Sequence, residues 1–105
     1  MSETSNDPIR YQVVYAEFVR NELRKLIATA EERGLGSQVR TAVREIDRYL
    51  HQYSQFGQPL RDLSLESSQQ WVGVVSPLVV HYAIYEEKRL VTVTIPISPL
   101  SRSGL

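Results

Sequence analysis

The chain has 105 residues, enough for one domain that closes a two-layer core without disulfide or metal staples. Its 12 Lys and Arg balance 12 Asp and Glu, so the basic excess that phosphate-dominated nucleic-acid binding requires is missing. It contains no cysteine, which excludes a thiol nucleophile and a Cys-ligated zinc site.

The first eight residues, M-S-E-T-S-N-D-P, are expected to form a disordered tail. They lack the basic start and apolar run of a secretory signal, and no apolar segment approaches the roughly 20 residues needed to cross a bilayer. The expectation is a cytoplasmic protein with no membrane partner. Residues 9–99 read as a single domain and 100–105 as a flexible C-terminal tail. Ile9 to Tyr15 alternates, with Ile9, Tyr11, Val13 and Tyr15 on one side, which predicts a half-buried strand. From Ala16 the period changes. Val19, Leu23, Leu26, Ile27 and Ala30 recur at helical spacing as far as Arg33, and Gly34 supplies a helix-ending residue. Ser37 is the expected cap of a second helix with the stripe Val39, Val43, Ile46, Leu50 and Tyr53. So short a connection makes the two helices antiparallel.

A loop from Ser54 to Pro59 follows, and then three strand-like runs: Gln70 to Val75, Leu78 to Tyr85, and Leu90 to Ile97. The fold class is therefore α+β, in the order β-αα-β-β-β, with an antiparallel helical hairpin on one face of a small, mainly antiparallel four-stranded sheet. Strand alternation places Ile9, Tyr11, Val13, Val72, Val74, Leu78, Val80, Tyr82, Ile84, Val91, Val93, Ile95 and Ile97 on the helix-covered side. The uncovered side then carries Arg10, Gln12, Trp71, Gly73, Val79, His81, Ala83, Tyr85, Thr92 and Thr94. Pro96 has no N–H for a ladder, so the last strand lies at an edge there or ends near it.

Motifs for chemistry are sparse. G-L-G-S at 34 to 37 follows a helix and lacks a P-loop lysine, so it reads as helix punctuation and not as a phosphate cradle. His51 and His81 share no metal-ligand spacing, and neither metal nor cofactor is expected. No G-x-S-x-G elbow is present. Glu86 and Glu87 beside Lys88 and Arg89 read as a solvated hairpin tip. Arg61 beside Asp62 is either a surface pair or a functional arginine. Trp71 either stacks on a base or partner side chain, or fills space beside Gly73.

The element order, the phrase G-Q-P-L-R-D-L at 57 to 63 and the ending P-L-V-V-H-Y-A-I-Y-E-E-K-R-L-V-T-V-T-I together resemble the RelE/ParE superfamily of type II toxin–antitoxin toxins. The resemblance covers residues 9 to 99. It implies a helical hairpin packed on one side of a small antiparallel sheet whose other side is the working surface. RelE-like members cut messenger RNA on the ribosome with basic residues on that face, whereas ParE-like members poison DNA gyrase. Carried over by position, the basic residues would fall near Trp71 and Gly73 and at Val79, none of which is basic. His81 and Tyr85 remain on that face, with Arg61 and Arg102 at its margins. An imidazole can act as acid or base near neutral pH, but without cations to stabilise a transition-state phosphate it supplies the smaller part of such catalysis.

The resemblance thus implies a toxin neutralised by a small antitoxin protein, with Trp71, Val79, Ala83 and Tyr85 as the partner-binding surface. The catalytic candidates are Arg61, His81, Tyr85 and Arg102. A degenerate, non-toxic protein-interaction module is the first alternative, and a ribosome-dependent mRNA endoribonuclease is the weaker second. Ribosome with mRNA, DNA gyrase and a second copy of the chain are the further candidate partners.

Overall fold

The computed structural model describes residues 10–60, 68–100 and 105. The tail expected over 1–8, the start of the first strand at Ile9, and the candidates Arg61 and Arg102 lie outside the described residues. No helix among the described residues is long and apolar enough to cross a membrane.

Strand β1 (Gln12–Tyr15) runs almost directly into helix α1 (Glu17–Glu32). The intervening Ala16 donates its amide to the Val93 carbonyl at 3.0 Å, which fixes the corner against the sheet. One face of α1 buries Val19 and Ala30 and packs Leu23, Leu26 and Ile27 on the core, as an amphipathic 3.6-residue period requires. Gly34 adopts the left-handed backbone expected of it, with φ +76°. Leu35 then donates back to the Ala30 carbonyl and Gly34 to that of Glu31, the Schellman pattern of a closed helix end. Because this turn sets the entry to helix α2 (Gly36–Gln52), the helix starts at Gly36 without a side-chain cap. Ser37 lies inside the helix and does not cap it. Along α2, Val39, Ala42, Ile46 and Leu50 are buried, whereas Tyr53, placed in the same stripe by its spacing, is 60% exposed beyond the helix end.

A 3₁₀ turn at Ser54–Phe56 leads to the short β2 (Gln58–Pro59). Strands β3 (Gln69–Val75), β4 (Leu78–Tyr85), β5 (Leu90–Val93) and the short β6 (Ser98–Pro99) complete the sheet. The order is β1-β5-β4-β3-β2, with β6 also on β4. β1 runs parallel to β5 and every other pairing is antiparallel. The four predicted strands are present, and β2 and β6 extend them to six. Both helices pack on one face over a core that includes Val80, Tyr82, Ile84, Val91 and Val93.

Two face assignments differ from expectation. The hairpin between β3 and β4 places Val75 opposite Leu78, Gly73 opposite Val80 and Trp71 opposite Tyr82. Cross-strand partners share a face, so Trp71 and Gly73 point toward the helices while Val72 and Val74 point away. Trp71 is 9% exposed, and Val74 is 57% exposed. Ile95, expected in the core, is 48% exposed. Between the pairs Ala83–Thr92 and Val79–Ser98, β4 advances four residues while the facing chain advances six. This excess is a bulge at Thr94–Ile97 around Pro96; it ends β5, turns Ile95 outward and returns Ile97 to the core.

Tyr82 links the layers. Its buried hydroxyl donates to the Ser54 carbonyl at 2.6 Å and accepts from the Gly57 amide at 3.3 Å. Trp71 stacks with it, ring centroids 6.4 Å apart, and so does Phe56, at 5.6 Å. Phe56 continues the stack to Tyr49 at 4.9 Å. A side chain at Gly73 would place its Cβ 2.5 Å from the Phe56 ring, so the missing side chain is what admits the stack.

Candidate functional site

Pairing register defines the sheet surface that the helices leave open. Its strand positions are Gln12 and Val14 on β1, Leu90 and Thr92 on β5, Val79, His81, Ala83 and Tyr85 on β4, and Gln70, Val72 and Val74 on β3, with Gln58 and Ser98 at the short strands. None of these residues is Lys, Arg, Asp or Glu. His81 is half-buried opposite Val72. On its other side it falls in the interval between the β5 and β6 ladders, beside the bulge. Its open-face neighbours Gln70, Val72, Val74, Val79 and Ala83 offer no charge to polarise a substrate.

The site residues expected from sequence therefore separate. His81, Val79, Ala83 and Tyr85 share the open face. Val79 is half-buried between Val74 and Ser98, and Tyr85 is half-buried opposite Leu90. Ala83, between Gln70 and Thr92, is 7% exposed and offers a partner little surface. Trp71 leaves this group for the covered side, where it fills space against Tyr82.

Two polar clusters on the helix side were not singled out by sequence. Tyr15 on β1 donates to Asp47 Oδ1 on α2 at 2.6 Å. Burial, and then this bond to a carboxylate, push the Tyr15 phenol well above its ordinary value. His51 Nδ1 lies 2.8 Å from the Asp47 carbonyl and 3.5 Å from Asp47 Oδ2. In the second cluster, Tyr11 donates to Glu86 Oε1 at 2.6 Å and Gln55 Nε2 donates to Glu86 Oε2 at 3.0 Å. The hydrogen bond to Glu86, with burial behind it, raises the Tyr11 phenol as well. Residues 55 and 86 are far apart in sequence, so only the folded chain shows that the hairpin-tip glutamate is held from two sides.

No family profile matches the chain, and no curated protein resembles it closely enough in sequence to count as a relative. The match to solved structures is one of fold. The chain superposes on a chain from the crystal structure of the archaeal RelE–RelB complex from Pyrococcus horikoshii OT3 with a TM-score of 0.55, over 89% of this chain and 98% of that one. The fold is RelE-like. Sequence identity across the RelE-like superposition is 16%, a level at which architecture is shared and site chemistry has to be argued residue by residue.

Proposed function

We propose that this protein is the toxin component of a type II toxin–antitoxin pair, acting in the cytoplasm and neutralised by a small antitoxin protein. The observation that carries this reading is the likeness in fold, over nearly the whole chain, to a protein solved in complex with RelB. The lack of charge at the paired strand positions of the open face argues that the target is engaged by binding rather than by RNA cleavage. Stabilising a developing phosphate charge needs preorganised cations or donors, and the strand positions around His81 supply no cation. The same observation favours a second reading, a RelE-like interaction module with no toxicity.

Expression from a tightly controlled promoter, with and without the adjacent reading frame, tests the proposal. Expression alone is expected to slow growth, and co-expression to restore growth and yield a heteromeric complex. A complex without a growth defect selects the interaction module, and neither effect removes the toxin reading. Toe-printing on translating ribosomes is expected to show no codon-specific cleavage. Cleavage abolished by His81→Ala would instead establish a ribonuclease. Supercoiling by purified gyrase, with and without the protein, separates gyrase from the remaining targets.

A further inference from the structure

The end of α2 and the following 3₁₀ turn border an open groove of about 800 Å³, walled by Tyr11, Tyr49, Gln52, Tyr53, Gln55 and Phe56. Two of these walls, Tyr11 and Gln55, are the residues that donate to the two oxygens of Glu86. The carboxylate is thus held at the groove rim by neutral donors, which orient it without cancelling its charge. Among the described residues no Lys, Arg or His nitrogen forms an ion pair with it. Each oxygen accepts one hydrogen bond and keeps further acceptor capacity. A fixed anion without an ion pair among the described residues, beside aromatic faces, is complementary to a cation that can also stack. The wall already illustrates this chemistry, because the Arg48 guanidinium lies 4.9 Å from the Tyr49 ring centroid. Tyr53, 60% exposed, has no cation over its ring among the described residues.

We propose that this groove is a docking site for an arginine side chain presented by a partner protein, with Glu86 as its counter-ion and Tyr53 as its stacking surface. Arginine fits better than lysine because its planar fork can meet the carboxylate while its face lies on an aromatic ring. A side chain delivered by a protein fits better than a free small molecule because the groove is open and cannot enclose a ligand. The inference does not rest on the toxin reading, and its test uses no antitoxin.

The test is an amide-resolved NMR titration of the intact protein with the peptide acetyl-Gly-Arg-Gly-amide at millimolar concentration and constant ionic strength. The uncharged citrulline peptide is the control. Saturable shifts are expected at Tyr53 and at the Gln55 side-chain amide with the arginine peptide. Binding should weaken about tenfold or more with citrulline, in Glu86→Gln, and in Tyr53→Ala. Glu86 and Tyr53 are both exposed, so these variants keep the fold. Equal binding of the two peptides, unchanged affinity in Glu86→Gln, or no shifts at all would each overturn the proposal, and none of these results bears on growth inhibition.

Discussion

Replacing Tyr82 with phenylalanine removes one oxygen and leaves every ring contact in place, so it isolates what the hydroxyl contributes. That hydroxyl donates to the Ser54 carbonyl at 2.6 Å and accepts from the Gly57 amide at 3.3 Å. Ser54 and Tyr82 are both 2% exposed, so the abandoned carbonyl cannot turn to solvent. A buried acceptor left without its donor costs about 1–3 kcal/mol, and the long Gly57 contact adds little. The expected loss is about 2 kcal/mol, which for a domain of this size lowers Tm by about 8–16 °C. Urea denaturation followed through Trp71 measures it directly, because Trp71 is the chain's one tryptophan and stacks 6.4 Å from Tyr82. The midpoint should fall with the slope unchanged. A Tyr82→Phe protein within about 0.5 kcal/mol of the parent would refute the view that this bond anchors the 3₁₀ turn to the sheet.

Val80 is fully buried, and Val80→Asp should cost at least about 3–5 kcal/mol by burying an unpaired carboxylate, seen as loss of cooperative melting by circular dichroism. A Cβ at Gly57 would overlap the Val72 carbonyl oxygen, so Gly57→Ala should displace the chain from β3 and cost about 1–3 kcal/mol in the same urea assay. Burial pushes the Tyr82 phenol up to about 12 from 10.0. The unfolded chain therefore releases this proton first, so its contribution is fully present below pH 10 and is lost as pH rises through about 12. Tm should hold to about pH 10 and then fall, with a loss on the order of 2 kcal/mol from this group, and Tyr82→Phe should reduce the slope.

Elements whose signal is local were legible in the sequence. Helical periodicity located both helices, and β4 has the limits its apolar run implies. The RelE-like architecture was implied by a resemblance carried by element order together with the G-Q-P-L-R-D-L phrase and the apolar ending. The open face was only half legible, because the side on which β3 shows each residue depends on the hairpin that joins it to β4. Two turn residues, Ser76 and Pro77, place Val75 and Leu78 opposite one another, and with Leu78 inward this turns Trp71 inward as well. The signal was present in the S-P spacing, but Val72 and Val74 are apolar and read more naturally as core. Ile95 was misplaced for a related reason. Pro96 announced the end of pairing but not the number of extra residues. The Tyr11–Gln55–Glu86 and Tyr15–Asp47 contacts join distant elements and leave no periodic trace.

The parallel pairing of β1 with β5, which sets Val13 opposite Val91, also orders events in time. The helical hairpin needs nothing beyond residue 52 and can form as soon as it is synthesised, since its contacts are local. The first strand of the chain has its ladder partner among the last strands made. A loop of nearly the whole domain must close before that edge gains a single ladder hydrogen bond, and such non-local closure is the slow part of folding. A nascent chain halted at residue 89 would therefore carry a formed helix pair, a β3–β4 hairpin able to meet it, and a first strand with no ladder to join.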